Sequence, residues 1–308
     1  MSSIGIDFGG TTIKSGLVLD GKILHRAEPI DTQALGNPQH IVDALVNLVG
    51  QYGEHGTSPA AIGIGLPGLI NQTTGIVHEL TNVPGWDEVP LRKILNERIG
   101  LPVTIENDAK AMAYGEWKYG AARNANDVVC ITLGTGVGGA LILDGRLYRG
   151  ANHAAGEIGH MSIDYRGRPG PYGTFGGFEE YIGNQQIAAR AVERYQAAGR
   201  ELTLEQCTPR QLSEMANGGD PIAKQMWEDL GDELGAALAS VVWIINPDTI
   251  VIGGGVAKAG ELLFAPALRS IRSRTSDVIH ANLRVVPAAL GNDAGIIGNA
   301  TLALDALR

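Results

Sequence analysis

The sequence predicts an α/β protein of two related lobes, and three observations predict it. The stretches "IGIDFGGTTIKSGLVLDGKIL" from residue 4 and "VCITLGTGVGGALILDGRLY" from residue 129 resemble each other. Each reads as an apolar strand, a Gly/Thr-rich turn, a second apolar strand and an Asp-Gly turn (Asp20-Gly21, Asp144-Gly145). Asp-Gly between apolar runs is a strong hairpin signal. Between and after these copies, strand and helix patterns alternate, which is the α/β signature.

The remaining elements follow in order. Residues 41–53, "IVDALVNLVGQYG", have helical spacing, and 60–70, "AAIGIGLPGLI", read as a strand entering a Gly-Pro-Gly loop. Residues 101–120, "LPVTIENDAKAMAYGEWKYG", are a strand feeding a helix. In the second half, 223–247 read as a long helix and 248–257, "DTIVIGGGVA", as a strand ending in three glycines. The closing "LRVVPAALGNDAGIIGNATLAL" is a strand and a small-residue helix. No linker, low-complexity tract or charge run separates the halves. The repeat puts a boundary between the lobes near 110–125.

A chain of 308 residues with 44% hydrophobic and 19% charged content is an ordinary soluble protein with length for real cores. Its longest apolar runs, such as "VVWII" at 241–245, fall far short of the ~20 residues a membrane span needs. The N-terminus, "MSSIGIDFGG", shows no export signal, and two cysteines make no disulfide framework, so the expected location is cytoplasmic. A net charge of −9 argues against nucleic-acid partners. The basic "RSIRSR" at 269–274 reads as a solvated helix face.

The glycine turns carry chemistry. Gly134-x-Gly136-x-x-Gly139 has the spacing of a dinucleotide fingerprint, but "ALIL" follows it rather than a helix, so that reading fails on context. Consecutive amides in such a turn form an anion nest, and threonine hydroxyls add donors. An ordinary hairpin turn is the alternative; two matched copies, one with Asp7 at its strand end, favour the nest.

Asn107 and Asp108 end an apolar strand where a helix cap belongs. Asp108 is then either a helix cap or a general base, and the motif alone does not separate the two.

Six motifs now occur in a fixed order: "DFGGTT" at 7–12, "LPG" at 66–68, "ENDA" at 106–109, "LGTGVGG" at 133–139, "GEIGHM" at 156–161 and "GGG" at 253–255. As a set they resemble the ROK family of sugar kinases and sugar-responsive repressors, in particular its bacterial glucokinase-like members, over essentially the whole chain. The resemblance implies an actin/hexokinase-like, ribonuclease-H-type fold with two α/β lobes around a central cleft. It implies ATP phosphates on the two hairpins (Asp7, Gly9, Gly10, Thr11, Thr12, Lys14; Gly134, Thr135, Gly136) and adenosine near Gly254 and Gly255. It makes Asp108 the catalytic base, and Gly68, Asn82, Asn107, Glu157, His160 and Glu179 the sugar-binding residues. Mg²⁺ would come with ATP, and Asp7 is the candidate to hold it. The last helix, about 294–304, is expected to pack back on the first lobe, which makes the lobes 1–116 plus 294–308, the smaller, and 117–293, the larger, and the family points to a homodimer or homotetramer.

One stretch departs from that family. After His160 its members carry "C-x-C-G-x-x-G-C-L-E", whose three cysteines join the histidine in a structural zinc site. Here the cysteine positions hold Gly170, Tyr172 and Gly177, while the pattern's glycines (Gly173, Gly176) and glutamate (Glu179) remain. One histidine does not hold a structural zinc, so none is expected. Packing of Tyr172, Phe175 and Phe178 is the expected replacement anchor.

Among smaller signals, Trp86 reads as core, His153 as a surface or loop residue and Asp293 as a helix cap. The expected reaction is ATP-dependent phosphorylation of a hexose, glucose first. The rivals are another sugar (fructose, mannose, allose, N-acetylmannosamine or N-acetylglucosamine), another phosphoryl donor such as polyphosphate, or a sugar-binding regulatory protein. The regulator reading is the weakest, because the first phosphate hairpin begins at Ile4 and both nucleotide loops look intact.

Overall fold

The computed structural model describes residues 1–53, 58–80, 83 and 85–308. The chain forms two compact units: Met1–Asn124 with Leu147–Ala155 and Ala289–Arg308, and Ala125–Arg146 with Gly156–Ala288.

In the first unit, β1 (Ser3–Phe8) runs antiparallel to β2 (Thr12–Leu19), with β3 (Lys22–Arg26) returning along β2 and β4 (Ile30–Asp31) pairing with its start. Helix α1 (Pro38–Tyr52) follows, capped by the Asn37 side chain, which accepts from the His40 amide, and started by Pro38. Then come β5 (Ile62–Leu66), the hairpin of β6 (Gly68–Asn71) and β7 (Ile76–Leu80), α2 (Leu91–Ile99), β8 (Val103–Asn107) and α3 (Asp108–Tyr119). The sheet order is β3-β2-β1-β5-β8, with β1, β5 and β8 parallel.

Alternation along β1 decides its packing. Ile4, Ile6 and Phe8 are wholly buried and meet Ile41, Leu45, Leu48 and Tyr52 of α1 in one core. On the other face Gly5, with Gly63 of β5, leaves room for the last helix of the chain, Ala294–Asp305: a β-carbon at either glycine would strike that helix's backbone.

The second unit repeats the scheme. It holds β9 (Val128–Leu133), β10 (Val137–Leu143) and Arg146, the first residue of the edge strand β11 (Arg146–Tyr148), then α4 (Glu179–Ile182), α5 (Asn184–Ala197), α6 (Pro209–Asn217) and α7 (Pro221–Ile245). After these come β12 (Thr249–Gly253), α8 (Glu261–Arg274), α9 (Asp277–His280) and β13 (Arg284–Pro287). Its order is β11-β10-β9-β12-β13, with β9, β12 and β13 parallel. The chain ends in α10 (Ala294–Asp305), back in the first unit. Trp227, Leu230, Leu234 and Leu238 of α7 supply much of the second core. Arg269 and Arg274 of the "RSIRSR" stretch pair with Glu228 and Asp232 of α7, so this face is an ion-paired seam as well as a solvated one.

Both Asp-Gly turns form as read. Asp20 and Gly21 have φ of 48° and 75°, and Asp144 and Gly145 have 51° and 65°. Left-handed backbone at both central residues is the type I′ hairpin turn these residues favour. Among the described residues, no helix is long and apolar enough to cross a membrane.

Candidate active site

In the first unit, the β1–β2 turn closes on itself through a bond from the Gly9 amide to the Thr12 carbonyl at 3.0 Å. Thr32, just past β4, holds it from outside: its hydroxyl donates to the Gly9 carbonyl at 2.9 Å and its amide to the Thr11 carbonyl at 3.0 Å. Gly9, Gly10 and Thr12 are half-buried and Thr11 is exposed. Asp7 lies opposite Lys14 across the hairpin. Burial pushes the Asp7 carboxyl above its ordinary range, and the Lys14 charge opposes that rise. Gly68 opens β6 opposite Leu80; Asn82 lies outside the described residues.

Asn107 ends β8, and its Oδ1 accepts from the Lys110 amide at 3.2 Å, so Asn107 caps α3. Asp108 is the first helical residue, with Oδ1 accepting from the Ala109 amide at 2.7 Å. Of the two sequence readings of Asp108, the cap is thus taken by its neighbour. Immediately before them, the buried Glu106 pairs with Arg149.

In the second unit, the β9–β10 turn is drawn tight by a bond from the Gly134 amide to the Gly136 carbonyl at 2.9 Å. It docks on α5 through the Asn184 amide, 2.9 Å from the Gly134 carbonyl. Thr135 at its tip is exposed. Glu179, the first residue of α4, reaches this turn: its Oε2 accepts from the Val137 amide at 3.4 Å, and its Oε1 lies 3.5 Å from His160 Nδ1. Glu157 and His160 are exposed at the two ends of one short 3₁₀ turn. Gly254, at φ 90°, lies against Leu133, where a β-carbon would overlap the Leu133 carbonyl; Gly255 is exposed with open space beside it. Gly134, Thr135, Gly136, Glu157, His160 and Glu179 therefore gather around one hairpin, and Asp7 to Lys14 around the other.

The loop after His160 is held differently from the expectation. Phe178 is fully buried, but Tyr172 and Phe175 are 87% and 54% exposed. Backbone pairing does the work instead: Ser162 bridges Gly177, Pro169 bridges Phe175, and the Gly176 amide donates to the Arg168 carbonyl at 2.7 Å. Arg168 adds a bond to the Glu180 carbonyl at 3.0 Å and stacks over Tyr181. Tyr172, at φ 59°, meets His160 edge-on with ring centroids 5.9 Å apart.

Trp86 is buried, as read, and His153 is half-buried. Asp293 stands at the start of α10 but makes no capping bond; its carboxylate pairs with Arg26 at 2.7 Å. Sequence reasoning also missed two buried carboxylates, Glu106 at the end of β8 and Glu116 in α3. Glu116 is wholly buried and accepts the amides of Ala121, Ala289 and Leu290 at 2.8, 3.0 and 2.7 Å. Burial of an acid among apolar neighbours was the available signal, but its partners lie too far along the chain to be read.

The ROK family profile matches residues 3–306. The chain belongs to the ROK family. Glucokinase of Streptomyces coelicolor is 34% identical, over 98% of this chain and 97% of that protein. Among solved structures, a ROK family glucokinase from Streptomyces griseus in complex with glucose and AMPPNP matches with a TM-score of 0.82 at 33% identity, covering 99% of this chain and 100% of that one. ROK hexokinase from Thermus thermophilus matches with a TM-score of 0.83 at 29% identity, covering 100% and 99%. The fold of this ROK protein is accordingly the two-lobed actin/hexokinase-like one, with the two sheets described above as its lobes.

Proposed function

We propose that this ROK protein is an ATP-dependent hexose kinase whose first substrate is glucose, converted to glucose 6-phosphate. The observation that carries the reading is the full-length match to a relative whose structure holds both glucose and AMPPNP, at 33% identity over 99% of the chain. Donor and acceptor classes come together in that one match.

The residues support the roles. The amides and hydroxyls of Gly9 to Thr12 and Gly134 to Gly136, with Lys14, suit a chain of phosphates, since Gly-rich turns present convergent N–H groups. Gly254 and Gly255 offer a surface without side chains for adenosine. Asn107, Glu157, His160, Glu179, Gly68 and Asn82 suit a ligand made mostly of hydroxyls. Asp108 takes the proton of the attacking sugar hydroxyl as its oxygen bonds to the γ-phosphorus and ADP leaves. Phosphoryl transfer asks mainly for positioning and charge neutralisation, which these groups supply.

Asp7 fits a cation carried by ATP. Its carboxyl is raised by burial beyond what Lys14 offsets, so it is a carboxylate short of positive charge. No group of three or more metal-ligating side chains exists among the described residues. Mg²⁺ held by one carboxylate, phosphates and water matches that supply. When bound, it neutralises phosphate charge.

The test is ADP release with Mg-ATP across a panel of hexoses and N-acetylhexosamines, each titrated for kcat/KM. Glucose as the best substrate is the expected result. A different best sugar moves the substrate and keeps the kinase; turnover with none overturns the enzyme reading in favour of a sugar-binding regulator.

A further inference from the structure

Tyr172 is more exposed than any other large apolar or aromatic side chain among the described residues. Folding gains little from a ring left in water. Its backbone is also costly, at φ 59° and ψ 21°, because left-handed geometry is a genuine outlier for a bulky side chain and persists only where the surroundings impose it.

Here the surroundings do impose it. The Gly170 amide donates to the Thr174 carbonyl at 2.8 Å, and inside that turn the Thr174 amide and hydroxyl donate to the Pro171 carbonyl at 3.1 and 2.7 Å. Pro171 fixes its own φ just before the strained residue. The turn therefore presents Tyr172 at its tip on a braced backbone, and neither burial nor conformational preference accounts for the ring.

What the ring does meet is His160, edge-on, with centroids 5.9 Å apart and planes at 82°. The Nδ1 side of His160 faces Glu179 Oε1 at 3.5 Å, so Nε2 is the nitrogen left for a ligand. A hydroxyl bonded there lies about 3 Å from the imidazole, which brings the rest of its sugar beside the tyrosine. The face of an aromatic ring is negative, and the C–H hydrogens of a pyranose are weakly positive.

We propose that Tyr172 is a further sugar-contacting residue: its ring is a platform for the C–H face of a hexose whose hydroxyls are held by Glu157, His160 and Glu179. All four residues belong to the second unit. The proposal rests on the kinase reading above, and it gives the cysteine-free loop a part in sugar recognition.

The experiment compares Tyr172→Phe, which keeps the ring, with Tyr172→Asn, which removes it and suits left-handed backbone. Each is measured for melting temperature, glucose and ATP KM, kcat, and nucleotide-free glucose binding by calorimetry. Tyr172→Asn should melt no lower than wild type, yet raise glucose Kd and KM about tenfold, with the ATP KM within about twofold and kcat little changed. Tyr172→Phe should stay within about twofold of wild type throughout. In wild-type protein, saturating glucose should shield Tyr172 from nitration by tetranitromethane, located by mass spectrometry, while Tyr165, 75% exposed, stays reactive. Wild-type glucose affinity in Tyr172→Asn, an equal loss in Tyr172→Phe, or nitration of Tyr172 unchanged by glucose overturns the proposal. Wild-type protein that binds no hexose overturns the kinase reading instead, and that is measured before any variant is made.

Discussion

Gly136 has no room for a β-carbon because the Glu179 carboxylate is in the way: Oε2 lies 2.8 Å from where one would sit. The same carboxylate lies 3.5 Å from His160. A residue proposed for sugar and a turn proposed for phosphate therefore share one side chain. Gly136→Ala should fold normally, since the obstacle is the flexible end of a glutamate, yet push Glu179 away from its position. The expected outcome is weaker glucose binding by calorimetry with no nucleotide present, by roughly threefold to tenfold, on the scale of one displaced hydrogen bond. Unchanged glucose affinity would separate the two sites.

Asp108→Asn should leave α3 intact, because Asn107 supplies the cap. Glucose affinity should stay close to that of the wild type while kcat falls by ~10² or more, the usual scale for a general base. Near-normal turnover would remove Asp108 from its role.

Asp7 gives a pH dependence with a definite sign. Its folded pKa is raised by burial, so between the unfolded and folded values the native state holds more proton than the unfolded chain does. That contribution favours folding at acid pH, below the unfolded value, and is lost as pH rises through the folded value. Asp7→Asn should therefore gain thermal stability relative to wild type at neutral pH, with the gain vanishing toward acid pH. It should also raise the Mg²⁺ concentration needed for half-maximal turnover. A variant that melts lower than wild type at neutral pH would contradict the burial argument.

Purified protein should contain no stoichiometric zinc by elemental analysis, and a chelator should leave its melting temperature unchanged. One zinc per chain would mean that Gly170, Tyr172 and Gly177 are not the positions of the family's cysteines.

Much of the fold was legible because its signals are local. Left-handed backbone at Asp20-Gly21 and Asp144-Gly145 has a two-residue signature, and α7 carries its Asp220 cap, Pro221 and apolar face in one stretch. What was not legible depends on distant partners. Glu106 finds Arg149, and Glu116 finds Ala289 and Leu290, across stretches no window covers. Asp293 has a cap's address but is taken by Arg26. Of the three rings expected to anchor the loop, only Phe178 is buried; backbone pairing leaves Tyr172 and Phe175 exposed. At the site, the motif residues lie on the strand ends and turns that the sequence indicated, while the carboxylates that hold them in place were silent.

The packing of α10 against β1, β5 and α3 sets an order of assembly during translation. The glycines at 5 and 63 leave a groove that only residues 294–305 fill, and Glu116 waits for the amides of Ala289 and Leu290. When the ribosome has made the first 124 residues, that sheet lacks α10 on one face and Glu116 lacks two of its three amide partners. The second unit, synthesised later, has all but its first strands in one continuous run and completes itself first. The half of the protein made first is finished last, so a stalled or truncated chain presents an uncovered apolar sheet to chaperones and proteases.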